Sequence, residues 1–179
     1  MINVHVALLR GINLGAANRL PMKDLARIFS GVGCANVRTY IQSGNVIFEG
    51  DDALVEGIEE AAERAIRDEF GYEVPVIVRS AAALREVAAA NPYLARGEDP
   101  KSLHVLFLKD RPAEAAVASL DPARSPGDAF TVVGREIYLF CPNGLARTKL
   151  TNEYFDTRLQ TKGTVRNWNT LLKLIELAR

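Results

Sequence analysis

The chain has 179 residues, 48% of them hydrophobic and 25% charged, and its 22 basic residues balance 22 acidic ones. This composition is typical of a folded globular protein, and a net charge of zero gives no overall attraction to nucleic acid or to an anionic membrane. No apolar run approaches the roughly 20 residues of a membrane span, and no basic region of a signal peptide precedes the first strand, so we expect a cytoplasmic protein. Two cysteines and two histidines, none at ligand spacing, predict no structural metal site.

The first half of the chain alternates between the patterns of strands and helices. An apolar run predicts the first strand, a proline opens the first helix, and a Ser-Gly-Asn turn separates two β-branched runs. The predicted elements are a strand Val4–Leu9, a helix from Pro21 towards Gly31, strands Val37–Gln42 and Val46–Phe48, a helix Asp51–Phe70 with its acids outward, and a strand Val74–Val78. This β-α-β-β-α-β order predicts a ferredoxin-like lobe over residues 1–80.

The second half begins like the first. The segment His5-Val6-Ala7-Leu8-Leu9-Arg10 is similar to His104-Val105-Leu106-Phe107-Leu108-Lys109, and a proline opens the next helix in both halves. We therefore predict a duplicated β-α-β-β unit, an α+β fold, and a second related α+β lobe with C-terminal helices over residues 81–179. The predicted elements are a helix Ala81–Ala90 capped by Ser80 and broken at Asn91-Pro92, a strand Leu103–Leu108, a helix Pro112–Leu120, strands Phe130–Val133 and Glu136–Phe140, and helices Asn152–Leu159 and Asn167–Leu177.

Two motifs of the first lobe are expected to meet at one edge of the sheet. Arg10-Gly11-Ile12-Asn13 follows the first strand, and Ser43-Gly44-Asn45 follows the second. In the split βαβ arrangement these strands are parallel with a third between them, so the motifs should lie about 10 Å apart. A guanidinium at the end of a buried strand needs a partner, which is either a carboxylate of the protein or an anionic ligand. Taken alone, the hairpin motif is more typical of simple turn chemistry than of a functional site.

A third motif, Thr164-Val165-Arg166-Asn167-Trp168-Asn169-Thr170, precedes the last apolar helical pattern. We interpret it as the first turn of that helix, with Thr164 or Asn167 as the cap and Trp168 in the core. Arg166 beside free backbone amides would then form an anion-binding arrangement. The two histidines are placed in central strands, which is a structural role and argues against either being a catalytic base.

Taken together, these motifs resemble a known family. Leu8-Leu9-Arg10-Gly11-Ile12-Asn13, the segment from Thr39 to Asn45, Asn91-Pro92 and the Thr164–Thr170 motif are similar to the signature segments of the domain-of-unknown-function family numbered 1697. The resemblance spans essentially the whole chain. It implies a small cytosolic bacterial-type protein of α+β fold with ferredoxin-like lobes, and it implies no established activity, cofactor or catalytic residue.

Three functions fit these motifs. The first is binding of a phosphate-bearing or carboxylate-bearing small molecule, and the second is a non-enzymatic interaction or structural module. The third, binding of RNA or single-stranded nucleic acid, is disfavoured because the strands lack an exposed aromatic pair. The motifs contain no His, Cys, Asp or Glu for proton transfer; Tyr40 would be a poor base, and Glu153 and Asp156 are the only nearby carboxylates. The candidate ligand-binding residues are Arg10, Gly11, Asn13, Tyr40, Ser43, Asn45, Arg166, Asn167 and Asn169.

Overall fold

The computed structural model describes residues 1–179, which contain eight β-strands and seven α-helices in two lobes. The first lobe comprises Met1–Arg85 and Leu174–Arg179, and the second comprises Glu86–Lys173. The division follows Arg85, and the last residues of the chain are grouped with the first lobe. None of the helices combines the length and the apolar character that crossing a bilayer requires.

The first lobe has the ferredoxin-like order that the sequence predicts. Its sheet has the strand order β2-β3-β1-β4, and each neighbouring pair is antiparallel. Helices α1 and α2 cover one face, where their apolar side chains pack against alternate residues of the strands. The elements are β1 Asn3–Leu9, α1 Met22–Gly31, β2 Ala35–Tyr40, β3 Asn45–Gly50, α2 Asp52–Phe70, β4 Val76–Ser80 and α3 Ala81–Ala89, whose last residues lie beyond the division.

The second lobe repeats this topology completely. Its strand order is β6-β7-β5-β8, again antiparallel, so each strand has a counterpart at the same place in the first sheet. The duplication therefore extends beyond the predicted β-α-β-β unit to a full β-α-β-β-α-β unit. The elements are α4 Pro92–Ala95, a short 3-10 turn Pro100–Ser102, β5 Leu103–Leu108, α5 Glu114–Ala118, β6 Ala129–Val133, β7 Glu136–Phe140, α6 Asn152–Leu159, β8 Gly163–Asn167 and α7 Trp168–Leu177, whose last residues from Leu174 onward are grouped with the first lobe.

Strand β8 corrects the sequence analysis, which interpreted Thr164 to Asn167 as the first turn of the last helix. These residues pair with β5 from His104↔Asn167 to Leu108↔Gly163. The strand runs directly into α7, as β4 runs directly into α3, and no loop residue separates strand from helix in either lobe. The alternation of apolar and polar residues in a five-residue strand is short. When a helix follows without a turn, this alternation cannot be distinguished from the helical pattern.

The outer edges of the two sheets are covered by acidic side chains. The backbone amides of Val76 and Val78 in β4 donate to Glu63 Oε1 at 2.9 Å and to Glu59 Oε1 at 2.7 Å, both on α2. In the second lobe, the Gly163 amide of β8 donates to Asp156 Oδ1 on α6 at 3.1 Å. The prediction that the acids of α2 point outward is therefore wrong for Glu59 and Glu63, which satisfy the unpaired amides of an edge strand.

Removing one of these acids should destabilise the first lobe measurably. We expect Glu63→Ala to lower the free energy of unfolding by about 1 to 2 kcal/mol, because the Val76 amide loses a charged acceptor. Urea denaturation followed by circular dichroism measures the change. Glu60→Ala is the matched control, since Glu60 is exposed on the same helix and makes no hydrogen bond. Equal stability of the two variants would contradict the role given to Glu63.

Candidate functional site

The loop after β1 contacts the segments that precede both neighbouring strands. The Leu9 amide donates to the Gly44 carbonyl at 2.8 Å, and the Arg10 amide donates to the Pro75 carbonyl at 3.1 Å. The loop lies closer to the hairpin turn than the expected 10 Å because the turn leads directly into β3, which pairs with β1. We call residues 10–13 and 40–45 together the Arg10 edge.

Asn13 braces this edge from within. Its Nδ2 donates to the carbonyls of Leu20 and Gln42, both at 2.9 Å, and its Oδ1 accepts from the Leu20 amide at 2.8 Å. Asn18 Nδ2 adds a bond to the Gly11 carbonyl at 3.1 Å. Because three hydrogen bonds hold the side-chain amide of Asn13, its role is to connect the loop to the hairpin turn.

The hairpin turn is held in a similar way. Asn45 is fully buried, and its Nδ2 donates to the Tyr40 carbonyl and to Ser43 Oγ, both at 3.0 Å. Strand β2 ends at Tyr40 rather than at the predicted Gln42, and the turn occupies residues 41–44. Tyr40 is half-buried and Ser43 is exposed. Of the three predicted residues here, Asn45 thus shapes the turn, while Ser43 and Tyr40 reach its surface.

Two backbone donors of the Arg10 edge have no acceptor in the protein. The amides of Gly11 and Ile12 make no hydrogen bond, although those of Leu9, Arg10 and Asn13 do. Gly11 and Asn13, on either side of Ile12, both have left-handed backbones, with φ of 71° and 54°. Alternation of this kind is typical of concave backbone segments that bind anions. The half-buried Arg10 side chain lies at the start of this segment.

The third motif lies in the second lobe, and its environment differs from the prediction. Arg166 belongs to β8 and not to a helix N-terminus; it is 7% exposed and donates from Nη1 to Thr164 Oγ1 and to the Val165 carbonyl, both at 2.8 Å. Burial lowers the pKa of Arg166 to about 10. Asn167 does act as a cap, since its Oδ1 accepts from the Thr170 amide at 2.8 Å. Asn169 is exposed, and Trp168 is buried as predicted.

Arg166 has a counterpart in the first lobe that is not among the residues predicted from the sequence. Arg79 occupies the same position in β4, where it lies opposite Val6 just as Arg166 lies opposite Val105 in β8. It is 3% exposed and its Nη1 donates to the carbonyl of the preceding residue, Val78, at 3.0 Å. The available signal was the shared Val-Arg pair, followed in each lobe by a polar cap and a helix. Because both arginines are buried at equivalent positions of the two lobes, we attribute their role to the duplicated fold.

The possible acid–base groups have structural roles or are deeply buried. His5 and His104 lie in central strands as predicted, and burial lowers the pKa of each. Cys34 and Cys141 are buried free thiols whose pKa burial raises to about 11, so neither supplies a thiolate near neutral pH. Asp156 accepts the β8 amide, as described above. No three His, Cys, Asp or Glu side chains come together in a group that could hold a metal ion.

Comparison with solved structures supports the fold. The structure of the conserved bacterial protein SP0830 from Streptococcus pneumoniae is similar over 100% of both chains, with a TM-score of 0.73 and 22% sequence identity. At this identity the similarity establishes the fold alone. No curated protein matches the chain.

A family model agrees with the resemblance seen in the motifs. The model described as a protein of unknown function, DUF1697, matches residues 2–138 and thus covers the whole first β-α-β-β-α-β unit, strands β5 and β6 of the second, and part of β7. The Arg10 edge lies within the matched segment. The chain therefore belongs to the DUF1697 family.

Proposed function

We propose that the protein binds a small molecule carrying a phosphate or carboxylate group at the Arg10 edge. The observation that carries this proposal is the pair of unpaired amides at Gly11 and Ile12, which follow directly on the Arg10 guanidinium. Backbone amides in a left-handed turn and an arginine together offer hydrogen bonds and positive charge to one oxyanion. The site would bind and polarise such a group, and no proton-transfer step is assigned to it.

The other candidate residues have supporting parts in this proposal. Ser43 and Tyr40 offer hydroxyl groups at the surface of the edge, while Asn13 and Asn45 hold the loop and the turn in place. Arg166 and Asn167 already have hydrogen-bond partners within the second lobe, so we confine the ligand site to the first lobe. We also propose a cytoplasmic location, which two buried unpaired thiols fit.

Thermal unfolding with added anions tests the site. A panel of inorganic phosphate, citrate, phosphorylated metabolites and single-stranded RNA is added to the protein and to Arg10→Met. We expect an anion at about 100 times its Kd to raise the Tm of the unmodified protein by about 5 to 10 °C and to leave Arg10→Met unchanged. Arg64→Met is the matched control, because it removes an exposed arginine from α2 in the same lobe. An anion that stabilises Arg10→Met equally well would remove Arg10 from the site.

A non-enzymatic interaction or structural module is the second candidate. It is favoured by the internal use of the Asn13 and Asn45 amides, which would make the motif a device for folding rather than for binding. In that case no anion in the panel shifts the Tm, and Arg10→Met lowers the Tm on its own. Stabilisation by RNA alone, lost in Arg10→Met, would instead favour nucleic-acid binding at this edge.

A further inference from the structure

A pocket lies at the other end of β1, away from the Arg10 edge. It has a volume of about 480 Å³ and belongs entirely to the first lobe. Its walls come from the start of β1, the first turn of α2, the end of β4, the beginning of α3 and the end of the chain. The polar side chains that line it are Asn3, His5, Asp52, Ser80, Arg85 and Arg179.

His5 is the unusual member of this wall. The residue is 5% exposed, and neither of its ring nitrogens has a hydrogen-bond partner. Its ring stacks on Phe48 with the centroids 5.5 Å apart. Burial lowers the pKa of His5, so the imidazole is neutral at pH 7 and carries one donor and one acceptor. His5 lines the pocket, and its two unpartnered ring nitrogens are buried in the pocket wall.

The charged side chains of the pocket are also without partners in the protein. Asp52 and Arg85 are both exposed, and neither forms an ion pair or a hydrogen bond. Arg179 adds a second guanidinium to the lining. Opposite charges that share a pocket and leave each other unpaired can each bind the opposite charge of a ligand.

The start of α3 adds further donors on the cationic side. Ser80 Oγ accepts from the Ala83 amide at 3.1 Å, which leaves its hydroxyl hydrogen available to an acceptor. Ala81 and Ala82 both line the pocket, and their amides precede the first intrahelical bonds of α3. A carboxylate here would contact the positive end of the helix as well as Arg85.

From these observations we propose that the pocket binds a small zwitterion of the α-amino acid class. The carboxylate lies against Arg85, Ser80 and the start of α3, the ammonium group lies against Asp52, and His5 supplies the remaining hydrogen bond. The pocket is larger than the smallest amino acids need, so it has room for a side chain. This site is independent of the Arg10 edge and does not rest on the function proposed for it.

Calorimetric titration of the full chain with matched probes tests this assignment. L-Alanine carries both charges, propionate lacks the ammonium group, and ethylamine lacks the carboxylate. We expect L-alanine or a larger amino acid such as L-glutamate or L-leucine to bind at least tenfold more tightly than either single-charge probe. Binding of propionate as tightly as L-alanine would overturn the assignment to a zwitterion, and so would the absence of heat from every amino acid at 10 mM.

Variants locate the binding within the pocket. Arg85→Met and Asp52→Asn alter exposed side chains, and each should weaken amino-acid binding at least tenfold while the Tm changes little. His5→Phe keeps an aromatic ring against Phe48 and should weaken binding without abolishing folding. Arg64→Met is the control, because it removes an exposed arginine outside the pocket, and it should bind the amino acid like the unmodified protein. Unchanged binding in Arg85→Met and Asp52→Asn would place the ligand elsewhere and overturn the proposal.

Discussion

Gly44→Ala is expected to lower the free energy of unfolding by about 3 kcal/mol. The cost has two sources. Gly44 has φ of 84°, a left-handed conformation that a residue with a Cβ adopts only with strain. A Cβ at this position would also lie 2.8 Å from Leu9 Cβ and 2.9 Å from Ile12 Cδ1. Leu9 Cβ is fixed to the central strand and cannot move away, so the turn itself must shift.

Gly15→Ala separates the two contributions. Gly15 also has a left-handed backbone, with φ of 60°, but nothing lies within 4 Å of the added Cβ. We expect this variant to lose only about 1 kcal/mol, the cost of the backbone conformation. Urea denaturation followed by far-UV circular dichroism measures both variants. Equal losses of unfolding free energy in Gly44→Ala and Gly15→Ala would show that the close approach of the added Cβ to β1 does not contribute.

Phe155→Ala should have the larger effect, a loss of about 4 kcal/mol from the second lobe. Phe155 is fully buried on α6 and lies in the core with its ring edge-on to Phe130 and to Tyr154, at centroid distances of 5.5 and 5.2 Å. Removing the ring leaves a cavity that α6 and β6 cannot close without breaking their own contacts. The loss of stability is therefore the sum of two terms, the lost transfer free energy of the buried ring and the cost of the cavity.

The single tryptophan makes this loss observable. Trp168 is buried in the second lobe, so its fluorescence during urea denaturation reports on that lobe. Phe155→Leu keeps most of the apolar volume and should lose less than about 1.5 kcal/mol. A loss below 1.5 kcal/mol in Phe155→Ala as well would contradict the central packing role of this ring.

The sequence predicted the fold well wherever one periodic pattern ended at a clear break. The predicted bounds of β5, β7 and α6 are the observed ones, and α2 begins at Asp52, one residue after its predicted start. Strand β4 begins at Val76 instead of Val74, directly after Pro75, which has no backbone N–H to donate to the ladder. The apolar pattern of the segment predicted the strand, and the proline within it sets the boundary.

The candidate site was harder to predict because an asparagine side chain can form hydrogen bonds to a ligand or to the protein backbone equally well. Asn13 and Asn45 have the residue type of a binding site, yet the structure directs their donors to carbonyls of the loop and the turn. Arg166 was assigned to a helix start because β8 was not recognised. Glu59 and Glu63 were placed in solvent because helical periodicity describes one helix and says nothing of the strand beside it.

The direct passage from β4 into α3, and from β8 into α7, restricts how this family can vary in length. A residue inserted into a loop is absorbed by the loop, but here the strand residue and the helix residue are adjacent, as at Ser80 and Ala81. One added residue would turn every later side chain of the helix by about 100° and rotate its apolar stripe away from the surface it covers. We therefore expect insertions and deletions to be incompatible with either junction.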